Sequence, residues 1–176
     1  MTTRNYTKDF KNNVDVAFEK EEIVIELLHL LKPDRKFYSE HNNENAYHLG
    51  DIISDKGKYY EVKDDGRIHD TGNVFVESVK RWRSGKVTDG WIKTEKPDYL
   101  CVLDEIGCNL YILNYEKLKE IYKQYRFVNT NMGDNITGGF CVPLTACRKR
   151  GVLVCETKYY YDEDWDCYEI AELASA

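Results

Sequence analysis

No stretch of this chain approaches the run of about 18 apolar residues that a membrane-spanning helix needs. No transmembrane helix and no membrane partner are therefore expected. The opening "MTTRNYTKDFKNN" has no apolar h-region, so no signal peptide is expected and the cytoplasm is the expected location. The six cysteines, Cys101, Cys108, Cys141, Cys147, Cys155 and Cys167, form no CxxC and no Cys/His spacing of a zinc site. Free thiols in a reducing compartment are the reading that remains. His29, His41, His48 and His69 are too scattered to propose as ligands. Internal repeats and low-complexity linkers are also missing, which leaves one domain over residues 1–176.

An excess of positive charge is absent too. The formal net charge is -6, which argues against a simple nucleic-acid binder. Its distribution changes that conclusion. From Glu156 onward there are seven acids against one lysine, and in the rest of the chain acids and bases cancel. The acidity belongs to the C-terminal end, with residues 162–176 as an acidic tail. Two basic stretches stand out in the neutral body, "KRWRSGK" (80–86) and "CRKRG" (147–151). Such patches can hold phosphates, with an affinity that falls steeply with salt. Two readings of the tail follow: a terminal helix "DCYEIAELAS" packed on the domain, or an acidic segment lying against the basic groups and competing with DNA.

What is present is a globular composition, 42% hydrophobic and 32% charged, enough for a real core. Residues 8–32 predict an amphipathic helix, with Val14, Ala17, Val24, Leu28 and Leu31 at helical spacing and Pro33 ending it. One member of the stripe, Glu21, is charged. A carboxylate there is costly unless something pairs with it. Residues 36–48 read as a loop. Strands are predicted at 52–53, 59–63, 74–82, 98–104, 109–114, 139–144 and 151–161, and a helix at 115–125. Stretches 64–73, 84–90 and 129–139 read as turns or loops. One helix, several strands and another helix make an α/β or α+β layer: a mixed central sheet flanked by helices.

The hairpin "GDIISDKGKYYEVKDD" (50–65) carries the chemistry. Residues two apart on a strand share a face, so Glu61 and Lys63 point one way and Val62 the other. Asp51 lies on the opposite arm, within about 5 Å across the ladder when the register matches. Two such carboxylates repel, and a divalent cation relieves the repulsion. A few acids, waters and a substrate phosphate are what Mg²⁺ prefers, and Mn²⁺ is expected to substitute. Lysine is a poor ligand but a good partner for a phosphate oxygen or an attacking hydroxide. The set suits phosphodiester hydrolysis.

Asp51 followed by Glu61-Val62-Lys63 resembles the D-x(n)-E-x-K signature of the PD-(D/E)XK nuclease superfamily. An acid-bearing helix, then the signature hairpin, then a further strand and helix is also that fold's order. "DTGNVFVES" and "GWIKTEKPDYLCVL" resemble stretches of its small phage and prophage nuclease-like members, and the archaeal-type Holliday-junction resolvases belong to the same group. The resemblance covers roughly residues 15 to 120, and more weakly extends to 145. It implies a restriction-endonuclease-like core, Asp51 and Glu61 as metal ligands, the Val62 carbonyl as a third, and Lys63 as the group that positions or activates water. Glu21 would be the helix acid, or Glu22 if the register shifts by one, and Glu77 an accessory acid. The literal Pro97-Asp98 follows the E-x-K strand and is a decoy.

The expected function is a Mg²⁺-dependent DNA endonuclease or exonuclease. Lys80, Arg81, Arg83 and Lys86 are candidate DNA contacts, and Trp82 and Trp91 could stack on bases. The rival is a nuclease-fold protein that no longer cuts and binds a host protein or nucleic acid instead. The sequence leaves a homodimer open.

Overall fold

The computed structural model describes residues 6–40, 43, 48–132 and 135–174. Helix α1 (Tyr6–Leu31) leads into β1 (Phe37–Ser39), β2 (Ile52–Ser54) and β3 (Tyr59–Asp64). A short helix α2 (Ile68–Thr71), strands β4 (Asn73–Trp82) and β5 (Val87–Asp89) and a short helix α3 (Trp91–Thr94) follow. Then come β6 (Tyr99–Asp104), β7 (Asn109–Asn114), α4 (Tyr115–Ile121) and a 3-10 turn (Tyr122–Gln124). Strands β8 (Arg126–Met132) and β9 (Asn135–Pro143), helix α5 (Leu144–Lys149), and strands β10 (Leu153–Asp162) and β11 (Cys167–Ala174) complete the chain.

The fold is mixed α and β, as the sequence implies. A seven-stranded sheet has the order β1-β2-β3-β6-β7-β10-β11, and a four-stranded sheet the order β5-β4-β9-β8. Among the described residues only β3 and β6 pair in parallel. A parallel pair needs a long crossover, and here α2, β4, β5 and α3 supply it. β6 reads as an unbroken apolar run because both its faces are covered. Cys101 and Leu103 meet Val24, Leu27 and Leu28 of α1. Leu100 and Val102 meet Val74 and Val76 of the second sheet and Leu118 of α4. The large sheet is thus held between α1 and a layer made of the small sheet and the other helices. Among the described residues no helix is long and apolar enough to cross a membrane.

Several expectations need correcting. Ala17 is exposed despite its place in the α1 stripe, and the side chain of Val14 lies outside the described residues. Phe37–Ser39 is a strand, because buried Phe37 stacks edge-on against Tyr60 and pairs the segment with β2. Val87–Asp89 is also a strand, the return arm of β4. The polar, glycine-containing 129–139 stretch belongs largely to β8 and β9. A side chain at Gly138 would stand 2.7 Å from the Phe127 ring, and one at Gly139 the same from Phe75, so these glycines seat aromatic rings from neighbouring strands.

The tail is neither a helix nor a free acidic segment. Its β11 pairs antiparallel with β10 at the edge of the large sheet, where Tyr168 stacks edge-on with Tyr159 at 5.8 Å. Cross-strand aromatic contacts stabilise a strand here over a helix. Arg148, in the second basic stretch, is held by Glu156 of β10 at 2.7 Å and not by the tail. A chain cut after Asp162 is accordingly expected to melt roughly 5–10 °C lower with unchanged DNA affinity at low salt. Tighter DNA binding by the shortened chain would restore the competition reading.

Candidate active site

The β2–β3 hairpin is short. Its ladder ends at the Ile52–Tyr60 pair, one step from Asp51. The Asp51 N–H still donates to the Tyr60 carbonyl at 2.9 Å. Beyond that point β3 continues to Asp64 with no partner strand on this side among the described residues. The Asp51 side chain fills the gap: its Oδ2 accepts the Val62 N–H at 2.8 Å. A strand residue sends its N–H and C=O to the same side, so the Val62 carbonyl faces the same open edge.

Helix α1 passes this edge. Glu21 is 5% exposed and accepts a hydrogen bond from the Ser39 hydroxyl at 3.2 Å. Glu22 is exposed to solvent, and of the two helix candidates it is Glu21 that lines the cleft beside Asp51. Val16, Ala17, Lys20, Glu21, Asp51, Val62, Lys63 and Asp64 line a cleft of about 320 Å³.

Glu61 and Lys63 project from the sheet face opposite Val62, as alternation requires. Glu61 is 4% exposed and forms an ion pair with Lys63. The Lys63 Nζ also lies 3.7 Å from Oε1 of Glu95, which follows α3. The other Glu95 oxygen is buried and has no hydrogen-bond partner. Burial pushes the Glu61 carboxyl up to about 8; Lys63 opposes the rise, and Asp51 and Glu95 add to it. Glu95 is raised by burial as well, against Lys63, with Asp51 and Glu77 adding. Burial alone would depress Lys63, but Glu61, Glu95 and Asp51 together hold it above the ordinary lysine range. Glu61, Glu95 and Asp51 thus all act on the one Lys63 ammonium.

Among the described residues, no three His, Cys, Asp or Glu side chains are gathered at metal-holding spacing. The oxygen donors this edge offers are the Asp51 carboxylate and the Val62 carbonyl, with Glu61 near enough for Asp51 to act on it. Beside them one buried Glu95 oxygen has no hydrogen-bond partner. Family models, curated proteins and solved structures all fail to match this chain. The reading of the site rests on its own geometry.

Glu95 was not legible in the sequence, since it lies outside the hairpin and no local pattern marks it. Glu77 is half-buried, near enough to act on Glu95. Asp98 of the Pro97-Asp98 pair is structural: it accepts from the Tyr59 N–H at 3.0 Å and from Lys58 at 2.6 Å. Trp91 is a core anchor whose carbonyl accepts from the Tyr115 hydroxyl at 2.9 Å. His69 lies 3.3 Å from Asp104, and His29 accepts from the Phe37 N–H. His41 lies outside the described residues. Lys80, Arg81, Arg83 and Lys86 do not line the cleft; they occupy the far end of β4 and the β4–β5 turn.

Proposed function

We propose that this protein is a Mg²⁺-dependent DNA phosphodiesterase with the site arrangement of the PD-(D/E)XK nucleases. One observation carries the reading. The Asp51 carboxylate takes the place of a missing strand at Val62, so a carboxylate and a backbone carbonyl share one open sheet edge, where Lys63 lines the cleft and carries buried Glu61 as its partner. The order of acid-bearing α1, signature hairpin and parallel β6 supports a restriction-endonuclease-like core.

Asp51, Glu61 and the Val62 carbonyl would hold the ion. When bound, Mg²⁺ supplies Lewis-acid stabilisation of charge on the phosphate and lowers the pKa of water. Lys63 then orients the attacking water or a phosphate oxygen. Glu95 gives its ammonium a second carboxylate to rest on when Glu61 is engaged elsewhere. Glu21 closes the helix side of the cleft.

The test is incubation with plasmid, single-stranded and branched DNA, and with RNA, in Mg²⁺, Mn²⁺ or EDTA. Cleavage in either metal and none in EDTA is expected. Asp51→Asn should abolish cleavage, and Lys63→Ala should lose about 10² in rate while keeping metal binding. Full activity in the Asp51→Asn protein would remove the assignment. Glu21→Gln should impair cleavage far more than Glu22→Gln, and equal, negligible effects would take α1 out of the mechanism.

A second reading, a protein of this fold that binds a host protein without cutting, is favoured by one feature. The β10–β11 turn presents Trp165, 78% exposed, among Asp162, Glu163, Asp164 and Asp166. That reading requires no cleavage under any of these conditions.

A further inference from the structure

Strand β4 begins in the core and ends outside it. Val74 and Val76 are buried against Val142. An irregularity between Glu77 and Val79 then shifts the β4–β9 register, and such bulges re-aim a strand. Beyond it β4 continues with β5, β9 and β8 as a ribbon whose outer part is largely exposed. Residues 78–88 of this segment carry four cations, Lys80, Arg81, Arg83 and Lys86, and no acid.

The partners of two of these cations are neutral. The Lys80 ammonium lies over the Trp82 ring, 4.8 Å from its centre. Arg81 donates to the Asn129 side chain at 3.1 Å. Neither contact cancels charge. Large apolar groups are exposed alongside: Trp82 at 40%, Val87 at 59%, Ile136 at 42% and Phe127 at 42%. Alternation puts Lys80 and Trp82 on one face and Arg81 on the other, across from Ile136. Cations beside exposed aromatic and apolar groups fit a nucleic acid, whose phosphates need positive charge and whose sugars and bases offer apolar surface.

The same strand connects this end to the candidate active site: Gly90 packs on Glu77, where a Cβ would stand 2.6 Å from its carbonyl oxygen, and α3 leads from its N-cap Gly90 to its C-cap Glu95. From Glu77 to Trp82 is roughly 17 Å at about 3.3 Å per strand residue. A duplex advances about 3.4 Å per base step, so the interval corresponds to about five steps.

We propose that the outer end of the β4–β5 ribbon is a nucleic-acid arm that grips the phosphate backbone about five nucleotides from the scissile phosphate. The position relative to cleavage rests on the phosphodiesterase reading. The grip itself does not.

The experiment separates the two. Binding of duplex and single-stranded oligonucleotides is measured by fluorescence anisotropy over a salt series. It uses the full chain carrying Glu61→Gln, with and without Arg81→Glu and Lys86→Glu together. Lys119→Glu with Lys123→Glu, on α4 and the turn after it, makes the same charge change away from both basic stretches. The arm variant should bind at least about 10-fold more weakly at 50 mM salt, with a log–log salt slope shallower by about 1.5–2, and the control should lose much less. Duplex and single-strand series show which form the arm holds. In the cutting protein, cleavage should fall off for oligonucleotides extending fewer than about five nucleotides beyond the cut, and the arm variant should lose nothing further on these. Unchanged affinity and slope, an equal loss in the control, or no binding by the parent overturns the arm. Binding that follows the arm in a protein that cuts nothing upholds the arm and refutes the phosphodiesterase.

Discussion

Glu61→Gln is expected to lose at least about 10²-fold in cleavage rate and, in the metal-free protein, to unfold at a higher temperature than the parent in alkaline buffer. Both effects have one cause. The Glu61 carboxyl is buried beside Asp51 and Glu95, and its folded pKa is raised from 4.5 to about 8. Below the lower value both folded and unfolded chains carry the proton, and Glu61 costs nothing. As pH rises towards the upper value, the unfolded chain releases the proton more readily than the folded one. Stability present at acid pH is therefore lost progressively, and the loss levels off once the folded group ionises. Glutamine does not titrate, and Lys63 keeps Glu95 as a partner. The variant should gain on the order of 2–4 kcal/mol over the parent above pH 8, or roughly 5–10 °C, and little at pH 4. Mg²⁺ should narrow the gap by stabilising the parent, more so as pH rises, because binding must displace the proton. Thermal melts at both pH values, with and without Mg²⁺, and single-turnover cleavage decide it. A melting difference that is the same at both pH values would show that burial does not hold this carboxyl up.

Much of the site was legible because its signals are local. The hairpin declares itself by alternation and its turn, which fixes Glu61 and Lys63 on one face. Glu21 interrupts an apolar stripe, and a buried carboxylate asks for a partner; the structure gives it Ser39 and the cleft. β6 and β7 are apolar runs bounded by turn residues. What was not legible depends on residues far apart in the chain. Gly138 and Gly139 weaken a strand when read locally, yet the rings of Phe127 and Phe75 occupy the space they leave. Tyr168 has mixed helical and strand signals around it and becomes strand through Tyr159. Glu95 stands in a polar stretch and gains meaning only when the chain passes Lys63.

Gly50→Ala is expected to damage both stability and cleavage, whereas Gly57→Ala in the same hairpin should damage neither by much. Both glycines have positive φ, +141° at Gly50 and +68° at Gly57. The second is ordinary left-handed backbone, and a Cβ there would meet nothing within 4 Å. Its replacement should cost about 1–2 kcal/mol and leave the cleavage rate unchanged. At Gly50 a Cβ would stand 2.8 Å from the Tyr60 carbonyl oxygen, the atom that accepts the Asp51 N–H. Alanine must push β2 away from β3 at the step where the ladder ends. That moves Asp51, whose carboxylate holds the Val62 N–H and so sets the geometry of the open edge. A cost of about 2–4 kcal/mol is expected from the strained backbone and close contact together. A misplacement near 1 Å can cost about 10² in rate, so cleavage should fall by at least about 10-fold at temperatures where the variant remains folded. Melting curves establish that range, and rates are compared within it. A Gly50→Ala protein with the parental melting temperature and rate would show that Asp51 does not depend on this close approach, and the account of how the hairpin builds the site would fall with it.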